Sequence, residues 1–231
     1  MLPKKKIPIC LLIGGGSKLP VILKAAKNPK SNFFISFVVS HKKDSSGIDL
    51  ALKNQIPASY FNLPDFRKRF SQNKDPKAQY MKLLGWFITQ RPYEPKLLVF
   101  AGWDLIVDNN FMNYFKCNFG SGYAAINLHP AILPTENERG KIKLPDGTFT
   151  SIIKGEQTEV LKRVLSEKLT YFGPTVHFVR PSVYDTGKII KREFIKVGNT
   201  KTIEDLRKKL MPVEDKILIE SIREVINQYL I

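Results

Sequence analysis

The chain has 231 residues, long enough to bury a full core. Its 43% apolar, 11% aromatic and 25% charged residues match an ordinary globular protein and exclude disordered and fibrous classes. With 37 Lys and Arg against 21 Asp and Glu, the net charge of +16 sets up a field that favours anionic ligands. The basic residues are scattered, as at Lys42-Lys43, Lys162-Arg163 and Arg207-Lys208-Lys209, with no base-stacking motif beside them, so a solvated basic surface is expected and a nucleic-acid partner is not. Cys10 and Cys117 are too few for a disulfide framework and sit among apolar neighbours, which predicts buried free thiols in a reducing, cytoplasmic setting. No apolar run approaches the roughly 18 residues of a membrane span. The stretch after Lys4-Lys5-Lys6 ends at Gly14-Gly15-Gly16 without a cleavage-site pattern, so neither a signal peptide nor a membrane partner is expected.

Ile7–Ile13 is an almost continuous apolar run ending in a glycine triplet, as expected of a central parallel strand buried on both faces, with a helix from Ser17 onward. A second apolar run spans Phe33–Val39, and Ser45–Gln55 carries the spacing of a helix packed on a sheet. In Lys77–Gln90, Tyr80, Leu83, Leu84, Phe87 and Ile88 recur at helical intervals before Pro92. Leu97–Ala101 and Tyr123–Leu128 read as two further buried strands. The polar stretch Thr135–Thr150 reads as an exposed loop with lid character, followed by a helical stretch near Glu159–Leu165. Thr175–Val179 and Lys188–Phe194 alternate like strands around Tyr184-Asp185-Thr186-Gly187. Thr202 with Asp205 predicts a helix cap, and Pro212 is expected to kink or divide the helix that follows.

This alternation predicts an α/β fold, Rossmann-like, with an open, mostly parallel sheet and helices on both faces. One domain over 1–231 is expected, with a phosphate-binding half at 1–125 and a catalytic, donor-binding half at 126–231. Ligands in such folds sit beyond the carboxyl ends of the strands. Gly14-Gly15-Gly16-Ser17-Lys18 lies at one such end, where glycines and a helix N-terminus either cradle a phosphate or merely make a tight turn. Ile126-Asn127-Leu128-His129-Pro130 lies at another. Two-residue spacing puts Asn127 and His129 on one side of the strand, where an amide and an imidazole converge on one carbonyl oxygen, or where His129 makes only a structural hydrogen bond. Three dispersed histidines and two distant cysteines lack ligand spacing, so no metal is expected.

Taken together, Ala101-Gly102-Trp103, Ile126-Asn127-Leu128-His129-Pro130 with Leu133-Pro134, Gly173-x-Thr175-Val176-His177-Phe178-Val179 and Asp185-Thr186-Gly187 resemble the phosphoribosylglycinamide formyltransferases and the wider formyl-transferase superfamily over residues 7–230. The resemblance implies transfer of a formyl group from 10-formyltetrahydrofolate to a primary amine, with Asn127, His129 and Asp185 as the catalytic set. It implies a substrate site from Gly15, Gly16, Ser17 and Lys18, with Gly102, Pro130 and Glu214, although Glu214 also fits a solvent-facing helical residue. It implies a pterin pocket walled by Trp103, Asp104, Leu105, Ile106 and Val107 with Tyr184, although Trp103 also fits plain core. His177 is expected to give structural support.

Three departures stand out. Lys18 replaces a common asparagine, and Thr135-Glu136-Asn137-Glu138-Arg139-Gly140 replaces a loop that commonly carries glycine and histidine; one extra residue also precedes Asp185. Glycinamide ribonucleotide in de novo purine synthesis is the expected acceptor of a monomer or homodimer. A sugar nucleotide, or a silent folate- or nucleic-acid-binding protein on the same fold, is the alternative.

Overall fold

The computed structural model describes residues 6–138 and 140–231; Lys4 and Lys5 of the basic run and Arg139 of the divergent loop lie outside the described residues. In chain order the elements are β1 (Ile7–Ile13), α1 (Leu19–Lys27), β2 (Phe33–Ser40), α2 (Ser46–Lys53), β3 (Ala58–Tyr60), α3 (Leu63–Arg69) and α4 (Pro76–Thr89). Then come β4 (Leu97–Ala101), α5 (Asn109–Met112), β5 (Ala125–His129), β6 (Lys141–Lys143), β7 (Phe149–Ser151) and α6 (Gln157–Ser166). The chain ends with β8 (Tyr171–Phe172), β9 (Thr175–Phe178), β10 (Ile189–Arg192), β11 (Ile195–Lys196) and α7 (Ile203–Tyr229).

Seven strands form one sheet in the order β10-β9-β5-β4-β1-β2-β3. The run β5, β4, β1, β2, β3 is parallel, while β9 is antiparallel to β5 and β10 to β9. Strand periodicity explains the two cores. Ile9, Leu11 and Ile13 of β1 pack with Leu19 and Ile22 of α1 and Ile217 to Ile226 of α7. Cys10 and Leu12, facing the other way, pack with Tyr80, Met81 and Leu84 of α4 and Phe111 of α5. Cys10 is fully buried, which pushes its thiol pKa up; Cys117 is only half-buried, because its segment forms an irregular turn beside the bridge from Lys116 to Tyr123.

Two expectations change in the structure. The polar stretch 135–150 is not a plain loop: β6 and β7 form a hairpin around the Pro145-Asp146-Gly147 turn, with Ile142, Leu144 and Thr150 turned inward. Its short alternation is diluted by exposed lysines, which hid it from periodicity. Pro212 does not divide α7, which runs unbroken through it. The helix is held by packing on both sides of the proline: Leu206 and Leu210 join α6 in a third core, and Ile217 onward joins the main sheet. Thr202 caps it as expected, accepting from the Asp205 N–H at 3.1 Å.

Candidate functional site

Strand β5 carries Asn127 and His129 at its carboxyl end, and the antiparallel register sets Asn127 opposite His177 and His129 opposite Thr175. Each pair shares a face, so two Xaa-x-His repeats are zipped into one polar patch. Thr175 accepts from the Leu133 N–H at 3.0 Å and donates to the Ala131 carbonyl at 2.8 Å, which fixes the segment following Pro130. The ring of His177 donates through Nδ1 to the Phe178 carbonyl at 2.8 Å, leaving Nε2 to accept from Asn127 Nδ2 at 3.2 Å. His177 therefore orients the Asn127 amide and leaves the second hydrogen of Nδ2 for another acceptor.

Asp185 enters from the turn between β9 and β10. Its backbone adopts φ 50°, a left-handed conformation that aspartate tolerates better than bulkier residues. Gly187 lets the turn close, since a Cβ there would overlap the Phe178 carbonyl oxygen. The turn sets Asp185 Oδ1 3.3 Å from His129 Nδ1 and 3.7 Å from His177 Nε2. On its other side His129 presents Nε2 to the Ile153 carbonyl at 3.1 Å. Burial pushes the His129 pKa down, and Asp185 and the Ile153 carbonyl offset this only partly. Burial also pushes the Asp185 carboxyl up, but the neighbouring His177 side chain and the charges of His129 and Lys154 outweigh it, and its pKa lies below the ordinary aspartate value.

The glycine loop at the end of β1 is braced by the start of α2. Ser45 Oγ donates to the Gly14 carbonyl at 2.7 Å, Ser46 Oγ to the Gly15 carbonyl at 3.1 Å, and the Gly47 N–H to Gly15 at 3.1 Å. Gly16 has φ 92°, and a Cβ on it would strike the Gly47 backbone. Gly15 and Ser17 remain exposed above the N-terminus of α1. Lys18 does not. It is buried, with Nζ 2.7 Å from Glu214 Oε2 and 2.8 Å from Asp215 Oδ1. Glu214 is not solvent-facing; it is 2% exposed and also accepts from Gln157 Nε2 at 3.1 Å.

The segment after β4 splits between two roles. Gly102 lies against the glycine loop, since a Cβ on Gly14 would overlap its carbonyl. Trp103 and Val107 are core residues packed with Phe100 and Phe111, and the Trp103 Nε1 is buried with no hydrogen-bond partner among the described residues. Leu105 and Ile106 stay half-exposed, and the Ser182 N–H donates to the Val107 carbonyl at 2.8 Å, which joins this segment to the one carrying the exposed Tyr184. The Asp104 carboxylate reaches the end of β2 instead, with Oδ1 2.6 Å from His41 Nε2, out of line for a hydrogen bond, and Oδ2 3.6 Å from Lys42 Nζ.

Four contacts have no sequence signal: the Ile153 carbonyl on His129, Gln157 on Glu214, Asp215 on Lys18, and Asp104 on His41. All join residues distant in the chain, three of them through ordinary polar side chains with no motif around them.

The family model described as formyl transferase matches residues 6–222, nearly the whole chain and every residue of the polar patch. The chain belongs to the formyl transferase family. Among curated proteins this formyl transferase is 28% identical to phosphoribosylglycinamide formyltransferase of Schizosaccharomyces pombe over 220 residues, covering 94% of this chain and 96% of that one. It is 27% identical to the chloroplastic phosphoribosylglycinamide formyltransferase of Arabidopsis thaliana, covering 94% of this chain but only 64% of the relative. Among solved structures it is similar in fold to glycinamide ribonucleotide transformylase 1 of Symbiobacterium toebii, with TM-score 0.72, 23% identity, and 94% and 86% of the two chains covered.

Proposed function

We propose that this formyl transferase moves a formyl group from 10-formyltetrahydrofolate to the primary amine of glycinamide ribonucleotide, a step of de novo purine synthesis. The observation that carries the reading is the convergence of Asn127, His129 and Asp185 at one strand end, with His129 3.3 Å from Asp185. The relatives named for this activity support the choice of acceptor, and the exposed glycine loop supports a phosphorylated one.

The donor supplies an activated formyl carbon, and the chain's residues do the rest. Asn127 Nδ2, oriented by His177, donates to the formyl oxygen as negative charge develops there. His129 donates from Nε2 once the Ile153 carbonyl moves aside, and Asp185 favours its protonated form and holds a water that receives the amine proton. The amine nitrogen bonds to the formyl carbon, and as the bond from that carbon to the donor nitrogen breaks, the proton lost by the amine passes by way of that water to the donor nitrogen. In this reading the pterin ring lies against Leu105, Ile106 and Tyr184, side chains left partly or fully exposed at this end of the sheet, over the core residue Trp103 of the same segment. The phosphate sits on the amides of Gly15, Gly16 and Ser17 at the start of α1, with Lys18 behind them and Gly102 and Pro130 flanking the amine.

The test is spectroscopic release of tetrahydrofolate by the purified protein, with and without glycinamide ribonucleotide. Acceptor-dependent release supports the reading. Release without acceptor marks hydrolysis, and no release rejects the purine-pathway acceptor.

A further inference from the structure

Strand β1 lies between β2 and β4, and its last residue, Ile13, is level with Ser40 on one side and Ala101 on the other. One step further out β1 has given way to the glycine loop, and side chains from the two flanking strands meet across it. His41, the first residue after β2, places Nε2 2.6 Å from Oδ1 of Asp104, three residues after β4. Lys42 joins them, with Nζ 3.6 Å from Oδ2 of the same carboxylate and its stem so close over Gly14 that a Cβ there would touch Cε. The backbone around the histidine is pinned: Asn62 Nδ2 donates to the His41 carbonyl at 2.7 Å, and the Lys42 N–H donates to Ser40 Oγ at 3.0 Å.

The His41 side chain is only 7% exposed and stands at a right angle to the Trp103 ring, 4.7 Å between centroids. Neither of its nitrogens makes an aligned hydrogen bond among the described residues. A buried polar ring of this kind contributes little stability, and an ion pair in such a place seldom recovers its desolvation cost. What the contact does supply is a fixed position for Asp104. Residues 102–108 form neither helix nor strand. Trp103 and Val107 are held in the core, Leu105 and Ile106 between them are half-exposed, and the Asp104 carboxylate is the polar tie of residues 103–106 among the described residues. Left bare, that carboxylate would also repel an anion on the neighbouring glycine loop; Lys42, and His41 when protonated, offset its charge.

We infer that His41 and Asp104 are a positioning couple for the donor's ring: they tie the segment carrying Leu105 and Ile106 to the end of β2 and touch neither substrate. The inference rests on that segment being the wall of the donor site and deepens that reading. The glycine loop has a separate brace, in Ser45, Ser46 and Gly47 at the start of α2. Loss of the couple is therefore felt on the donor side. The ring's seat loosens and the formyl carbon is less often in line with the amine, while the phosphate's seat stays in place.

The experiment compares the wild type with His41→Gln, Asp104→Asn and the double variant, by calorimetry with tetrahydrofolate and by the steady-state formyl-transfer assay. Each single variant is expected to weaken tetrahydrofolate binding and raise the donor KM by about three- to tenfold, the scale of an ion pair between the exposed and buried limits. The turnover number falls and the acceptor KM stays as it is in the wild type. The double variant is no worse than either single one, because both substitutions remove the same contact. Unchanged tetrahydrofolate affinity in the single variants, additive losses in the double variant, or an equal rise of donor and acceptor KM overturns the couple. A wild type without affinity for tetrahydrofolate removes the donor reading and the couple with it. Binding that weakens in the variants as expected, without formyl transfer to glycinamide ribonucleotide by the wild type, rejects the proposed activity and leaves the couple standing.

Discussion

His129 Nε2 is hydrogen-bonded to the Ile153 carbonyl at 3.1 Å, so the ring nitrogen best placed to donate to a reacting oxygen is capped by backbone. The same short segment is tied at two more points, Lys154 Nζ to the Tyr184 carbonyl at 3.2 Å and Gln157 to Glu214 at 3.1 Å. Residues 153–157 thus form a strap across the site, and Gly155, at φ 115°, gives it a backbone conformation that side-chain-bearing residues rarely adopt.

His129→Ala is expected to lower kcat by roughly 100- to 1000-fold, the scale seen when one preorganised oxyanion donor is removed. Affinity for the folate donor, measured by calorimetry, should stay within a few fold. Unchanged turnover would show that His129 is a structural residue.

The histidine titration has a definite sign. Burial holds the His129 pKa below the ordinary histidine value, and Asp185 is the main influence raising it back. Asp185→Asn should therefore lower it further, while Lys154→Ala, removing a positive neighbour, should raise it; NMR titration of the ring resonances reads both. A histidine with a depressed folded-state pKa contributes stability above its ordinary value and loses it as pH falls through the depressed one. The wild type should accordingly weaken on the acid side of that window.

Glu138 is held by Arg192 at 2.6 Å and by the Thr135 N–H at 2.8 Å. Partial burial is the largest single influence and pushes its carboxyl up, but the hydrogen bonds from Arg192 and Thr135 together with the Arg192 charge outweigh it and bring the pKa to about 2. Its folded-state pKa is depressed, so it contributes stability above the ordinary glutamate range and loses it as pH falls through about 2. Glu138→Gln should flatten the acid limb of a denaturation-against-pH profile and leave the neutral limb lower by a constant amount.

Gly47→Ala tests the brace under the glycine loop. A Cβ at this position meets Ile13 Cδ1 and the Gly16 backbone, and overpacking of this kind costs about 1–3 kcal/mol. The variant should raise the acceptor KM and leave the donor KM unchanged, because the loop it displaces is the one proposed to seat the acceptor's phosphate. An equal rise in both constants would mean that the whole domain had loosened.

The sheet was largely legible in the sequence because strands buried on both faces must be apolar throughout. Ile7–Ile13 and Leu97–Ala101 appear in the structure with the bounds their composition predicts. Asn127, His129 and Asp185 were legible only as a motif set; periodicity placed the first two on one face, and nothing local linked them to Asp185. The β6–β7 hairpin was not legible, because three-residue strands carry too few alternations to stand out from a polar loop.

What the sequence determined by itself was local in origin: the buried strands, the glycine turn, the Thr202 cap and the two-residue spacing of Asn127 and His129. Tertiary structure alone decided what each polar side chain does. Lys18 pairs with residues 214 and 215, His177 orients Asn127 across an antiparallel register, and Ile153 caps His129. The physical reason is that hydrogen bonds and ion pairs depend on distance and direction in space, and those are set by how α7, the strap and the sheet pack together rather than by any neighbour in the chain.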